Sequence, residues 1–343
     1  MQRLEFISFS RFKDITENST DIQVMELWKS EILEWEKNKI TLGDFPKIHS
    51  NYITLNSREI PEHAVFIFYP WKNTVVISFG EEIFKSLVTV RNRNKITSTE
   101  QERLFKCTIS IVGLSVGFQV VKALVMSNLC GRIRIADFDE IEVTNLNRLD
   151  CGILNLGMSK SELAYRWIME QNPFIHVDVF CEGVNSENFE EFLNVENIPV
   201  NLLIDECDSL VVKIQLRKVA KSLRIPVLMH TSDRGMLDIE NFSIDDSAFD
   251  FSFLKYSELN ADEIKNNAPK IIADICDLNN ASERSKESFL LIGKGLRSWP
   301  QLAEDVVSGG GNVATASRLI LLGQRIKSQR IILSPESFLE VIN

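Results

Sequence analysis

No CxxC pair occurs among the six cysteines, which are scattered at Cys107, Cys130, Cys151, Cys181, Cys207 and Cys276. That spacing argues against a zinc ribbon and makes buried, hydrophobe-like thiols the simplest reading. No uninterrupted apolar run approaches the ~20 residues of a membrane helix, and the opening MQRLEFISFSRFKD lacks the apolar core of a secretion signal. A cytoplasmic protein with no membrane partner is therefore expected. Positive charge is in the minority, 38 Lys and Arg against 48 Asp and Glu, for a net charge of −10 and a pI near 5.1. Such a balance disfavours nucleic acid as a partner, so an anionic ligand would need a local basic pocket. Internal repeats and low-complexity segments are also missing. What is present is ordinary for a globular chain: 343 residues, 44% hydrophobic and 25% charged, enough for one large α/β core with an appendage.

Residues 1 to about 90 combine a charged helical segment, IQVMELWKSEILEWEKNK, with two strand-like runs, HAVFIFYPW and NTVVISF. The spacing of Trp28, Ile32 and Trp35 puts an apolar stripe on one helix face. A small α+β N-terminal accessory domain over 1–90 is the expectation, followed by a second domain over 91–343. From residue 107 strand and helix alternate: strands 108–112, 132–137, 175–181, 200–205 and 226–230, helices 116–128, 157–171, 186–193 and 209–222. This is the rhythm of a doubly wound, mainly parallel sheet, an α/β fold of Rossmann-like type. Residues 243–300 are less regular and read as a long crossing excursion. Beyond them, SWPQLAEDVVSGGGNVATASRLILLGQR reads as helices split at Gly309-Gly310-Gly311, and RIILS as a last strand.

The stretch SIVGLSVGFQVVKALV carries the first chemical signal. A strand that ends at Gly113 and turns into a helix offers free backbone N–H groups and a positive helix end to a phosphate. The full dinucleotide pattern wants three glycines. Here Ser115 stands for the second, Phe118 for the third, and Gly117 falls one position early. At the end of the next strand, Asp137 is placed to meet ribose hydroxyls. A dense polar sequel follows: Asp139, Asn145, Asn147, Arg148, then Gly157-Met158-Ser159-Lys160. Arg148 and Lys160 are cations of the kind that nucleotidyl transfer aims at developing phosphoryl charge. In LLIDECDSL, Asp205 or Asp208 could hold a hydrated magnesium ion together with phosphate oxygens; helix capping is the plainer role for Asp208.

With RNRNKI, IVGLSVG, ADFDEIEVTNLNRL, GMSK and LLIDECDS in place, residues 91–235 resemble the ThiF-type adenylyltransferases, the superfamily of ubiquitin-activating and related enzymes. In layout the chain is most similar to bacterial ThiF-type domains that occur joined to a nitroreductase. The resemblance implies ATP against Gly113, Ser115 and Gly117, with Asp137 on the ribose and Asp139 beside it. Asn145 and Arg148 would line the triphosphate, Lys160 would neutralise its charge, and Asp208 would hold Mg2+. It also implies a homodimer in which Arg93, with Arg91 as its rival, reaches the other subunit's site. The implied reaction joins a carboxylate to AMP and releases pyrophosphate. The carboxylate would belong to a carrier protein, a peptide C-terminus or a small metabolite. Cys276, beside acids in KIIADICDLNN, lacks the cationic neighbours of a reactive thiol and is assigned a structural role. Two alternatives share the same sheet: a nicotinamide- or flavin-dependent oxidoreductase, and a degenerate member that binds nucleotide or partner without turnover. The Arg148 and Lys160 pair separates the first, because hydride transfer has no use for it.

Overall fold

The computed structural model describes residues 1–46, 51–55, 57–245, 250–277 and 281–333, and the chain divides into two compact units. The first covers Met1–Ser98 with Asn172–Phe174. Four of its strands, β1 (Glu5–Ile7), β2 (Gln23–Glu26), β3 (Val65–Tyr69) and β4 (Thr74–Ser78), form one sheet in the order β1-β3-β4-β2, and Tyr52–Leu55 pairs with Arg58–Pro61 in a separate hairpin. Helix α1 (Phe9–Asn18) supplies Phe12 and α2 (Leu27–Lys37) supplies Trp28 to a core shared with Phe66, Val75 and Ile77. The Trp28 and Trp35 stripe is buried as its spacing requires, but Glu31 is buried beside it. Ser78 Oγ and the Phe79 N–H donate to that carboxylate at 2.8 and 2.9 Å, so a charge-bearing group enters the interior only with its hydrogen bonds supplied.

The second unit, Thr99–Gln171 and Ile175–Asn343, is built on a seven-stranded sheet. Its labelled elements run β5 (Thr108–Val112), α3 (Gly117–Met126), β6 (Arg132–Ala136), α4 (Lys160–Gln171), β7 (His176–Phe180) and β8 (Leu202–Asp205). They continue with α5 (Leu210–Ser222), β9 (Val227–Thr231), β10 (Met236–Glu240), α6 (Ala268–Ile275), α7 (Ala303–Leu321) and β11 (Gln329–Ile332). Strand order is β11-β10-β9-β8-β5-β6-β7. The five strands β5 to β9 pair in parallel, whereas β10 and β11 are antiparallel additions. Parallel strands covered on both faces read as continuous apolar runs, as LLID and TISIV do. The chain leaves β5 toward β6 and β7, then returns to the other side of β5 as β8. That reversal opens a crevice at the carboxyl ends of β5, β6 and β8, the usual ligand position in such sheets.

Two expectations are corrected. Residues 243–300 are not an irregular excursion: α6 and the helices Ala261–Asn266 and Glu283–Leu291 lie within them. The triglycine does not split a helix either, since α7 runs unbroken through Gly309, Gly310 and Gly311. The reason is close packing. A Cβ at Gly310 would come 2.7 Å from the Gln119 carbonyl oxygen of α3, and one at Gly309 would come 2.2–2.6 Å from the His230 ring atoms. Helical glycine costs about 1 kcal/mol relative to alanine, here offset by contacts that only a bare backbone allows. Among the described residues no helix is long and apolar enough to cross a membrane.

Candidate functional site

A cleft of about 130 Å³ sits at the crevice, floored by Gly113 and walled by Asp137, Asp139, Lys160, Glu206 and Asp208. Gly113 has φ +85°, and a Cβ there would fall 2.5–2.6 Å from the Glu206 carbonyl oxygen and the Cys207 nitrogen. The turn after β5 and the turn after β8 therefore touch through glycine alone. Asp137 locks this turn: its carboxylate accepts the Leu114 N–H at 2.6 Å and the Asp139 N–H at 2.8 Å. Burial pushes its pKa up, against those two hydrogen bonds and the Lys160 charge. Each carboxylate oxygen keeps a lone pair for a ligand hydroxyl. The Ser115 hydroxyl lines the same cleft and, though buried, has no hydrogen-bond partner among the described residues. An orphaned hydroxyl beside a glycine turn at a helix start fits an anionic oxygen.

Lys160 opens α4, is 7% exposed, and ion-pairs with Asp139 at 2.7 Å. Its ammonium is thus held at the cleft wall with one carboxylate beside it, a fixed but replaceable partner for phosphate. Asp208 is exposed and accepts no hydrogen bond among the described residues. It does not cap α5; Ser209 does, accepting the Val212 N–H at 3.3 Å. Asp205, the other candidate metal ligand, is fully buried and paired with Arg217 and with Lys213 at 3.2 Å. Arg217 continues to Glu240 at 2.5 Å. Asp205 is therefore committed to the interior and unavailable to a metal, which corrects that alternative. No three His, Cys, Asp or Glu side chains gather as a metal centre among the described residues. A magnesium ion here would be held by Asp208 with ligand oxygens.

Other predicted residues lie apart from the cleft lining. Gly117 begins α3 and packs against Ile111 and Glu206. Asn145 is buried, with Oδ1 accepting the Glu142 N–H at 3.0 Å, so its carbonyl shapes the turn that carries Arg148. Arg148 lines a separate groove with Asn147, Lys122 and the start of α7. It donates to Thr144 O at 3.0 Å and to Asn147 Oδ1 at 2.8 Å, while its buried Nε has no partner among the described residues. Burial lowers its pKa, and the Asp208 carboxylate opposes that shift, so the two charges are within electrostatic reach. Arg93 and Arg91 are exposed residues of the first unit. Cys276 caps the end of α6, half-buried, its thiol pushed up by burial despite the Arg330 charge; this suits a structural thiol better than a nucleophile.

Sequence reasoning passed over Phe138, Gly183, Glu206 and Ser209, which also line the cleft. Phe138 is 74% exposed at a strand end, an uncovered aromatic face inside the quoted ADFD. Gly183 has φ +72° and admits the Phe138 ring where a Cβ would stand 2.8 Å from it. No sequence signal marks Gly183, because its partner is distant in the chain.

Residues 89–234 match the model of the ThiF family. An uncharacterized protein of Mycobacterium tuberculosis is 36% identical over 277 residues, 79% of this chain and 38% of that one. The tRNA threonylcarbamoyladenosine dehydratase 2 of Saccharomyces cerevisiae is 31% identical over 149 residues, 43% of this chain and 33% of the relative. The chain thus spans between a third and two fifths of the length of these relatives. Among solved structures, the Escherichia coli tRNA N6-threonylcarbamoyladenosine dehydratase superposes with a TM-score of 0.50 at 17% identity, covering 70% of this chain and 95% of that one, a likeness of fold.

Proposed function

The chain belongs to the ThiF-type adenylyltransferase superfamily through residues 89–234, and from that premise we propose that its second unit adenylates a carboxylate with ATP. The observation that carries the reading is the single cleft holding the Gly113 turn, Asp137, the Lys160–Asp139 pair and Asp208. When bound, ATP supplies an α-phosphorus open to attack and pyrophosphate as leaving group. Everything else falls to the chain. Backbone N–H groups at the Gly113 turn and the Ser115 hydroxyl receive phosphate oxygens. Asp137 orients the ribose through the lone pairs that the turn does not use. Phe138 offers its face to the base. Lys160 exchanges its Asp139 contact for phosphate as negative charge develops, and Asp208 holds magnesium. Arg148, with an unpaired Nε and Asp208 within reach, steadies the triphosphate from the neighbouring groove. In a homodimer, Arg93 would complete the site of a second copy. The N-terminal unit is an accessory domain to this chemistry.

An oxidoreductase reading leaves Lys160 and Asp208 without work. Incorporation of labelled pyrophosphate into ATP, dependent on an added carboxylate, tests the proposal. Exchange is the expected result. Melting temperature raised by NAD but not by ATP with magnesium would overturn it, since a ligand stabilises the state that binds it.

A further inference from the structure

A second cavity of about 240 Å³ adjoins the nucleotide cleft, and Glu206, Cys207 and Asp208 line both. One backbone turn after β8 is thus a shared wall. On the far side the lining is dominated by Met229, Met236, Phe253, Ile272 and Ile275, with Val116 from the glycine turn. The ionisable groups on this lining are largely discharged or paired. Burial raises the Glu206 carboxyl to about 8 and lowers His230 to about 4, while Lys213 is held by Asp205. Asp233 accepts from Ser285 Oγ at 2.6 Å and from Ser282 Oγ at 2.9 Å.

Three polar atoms break this pattern. Both ring nitrogens of His230, a residue 3% exposed, and Oγ1 of Thr231 have no hydrogen-bond partner among the described residues. Leaving a buried polar group unsatisfied costs about 1–3 kcal/mol, so native interiors keep few of them. The imidazole is also held in place at some expense, because Gly309 in mid-helix leaves exactly the room its ring takes up. A neutral imidazole has one donor and one acceptor nitrogen whose directions diverge, so a ligand hydroxyl engages one of them.

We propose that this cavity receives the body of the carboxylate substrate, a small free acid with an uncharged, apolar frame and a hydroxyl read by His230. The inference rests on the adenylation reading. It narrows the substrate class, because a carrier-protein tail ending in Gly-Gly brings several backbone amides and no apolar bulk. Beside Asp208, Thr231, Ser232 and Gln301, the lining offers such a tail mainly apolar wall, which it would leave unfilled. A free acid seated here would present its carboxylate across the Glu206–Asp208 turn to the nucleotide side.

The test uses the full chain, ATP with magnesium, and five probes: phenyllactate, hydrocinnamate, hydroxyisocaproate, isocaproate and a peptide ending in Gly-Gly. Hydroxy acids should support pyrophosphate exchange about tenfold or more better than their deoxy partners, and His230→Leu should erase that preference. Binding is read separately from turnover. With four histidines in the chain, the His230 ring signals are assigned by their loss in His230→Leu, and phenyllactate should shift them. Exchange supported by the Gly-Gly peptide and insensitive to Met236→Phe would overturn the proposal, as would His230 signals unmoved by every acid. Absence of an ATP-dependent rise in melting temperature strikes instead at the adenylation reading, so the two failures are distinguishable.

Discussion

The two chambers on either side of the Glu206–Asp208 turn are made of opposite materials. The cleft proposed for the nucleotide is shaped by backbone: a positive-φ glycine, N–H groups at a helix start, and a carboxylate that accepts one N–H of its own turn on each oxygen. Lys160, Asp139 and Asp208 stand together along its wall. The second cavity is shaped by side chains, and burial strips charge from Glu206 and His230. Three acids within four residues have three fates: Asp205 is ionised inside a paired network, Glu206 is neutral on the wall, and Asp208 faces outward. Residue type says little about such fates; depth and partners decide them.

The contrast should show most strongly in Lys160→Ala. Removing this cation from the cleft wall is expected to reduce pyrophosphate exchange by roughly a hundredfold or more while leaving the circular dichroism and melting temperature near the parent's. Asp139, left behind, is half exposed and can be hydrated. Unchanged exchange would remove Lys160 from the chemistry. A smaller effect is expected in the other chamber from Gly309→Ala. The added methyl would overlap the His230 ring, so despite better helix propensity the variant should lose about 1–3 kcal/mol in denaturant unfolding. It should also lose the phenyllactate response and keep the ATP response. Its neighbour is the control: a Cβ at Gly311 meets nothing within 4 Å, and Gly311→Ala should gain up to about 1 kcal/mol.

The strand and helix rhythm from 108 to 231 was legible because parallel strands are continuous apolar runs and the helices between them are periodic. That Gly113, Asp137, Lys160 and Asp208 would share one cleft was legible for a related reason: each follows a strand end or opens a helix, so chain order alone brings them to one sheet edge. What escaped depends on partners far away in the chain. The triglycine looks like a break until His230 and Gln119 are seen to occupy the space it leaves. Asp205 and Asp208 are equivalent in a string of letters, and only Arg217, one helix turn beyond Lys213, shows which of them is consumed. Strand β10 was missed although the short turn after β9 carries Gly235 at φ +58° next to Arg234 at φ +53°. The second cavity has no motif at all, being a gap among residues scattered from Val116 to Gln301.

The subtlest prediction concerns pH and tests whether the shared wall is neutral. In the folded chain the Glu206 carboxyl, raised to about 8 by burial, keeps its proton where an unfolded chain with an ordinary value of 4.5 has lost it. The folded state therefore binds more protons between those values, and stability falls as pH rises through that interval. His230 works in the opposite direction: lowered to about 4 from 6.5, it stays neutral in the fold, so stability is lost as pH drops below 6.5. Between pH 6.5 and 8 only the Glu206 contribution changes appreciably. Glu206→Gln keeps an oxygen to accept the His230 N–H, which now bonds Oε1 at 2.9 Å, and cannot ionise. Relative to the parent, the variant should gain about 2 kcal/mol across that window, read from denaturant unfolding at the two pH values. A parallel pH dependence in both proteins would mean that Glu206 is already ionised in the fold, and the wall between the chambers would then be charged.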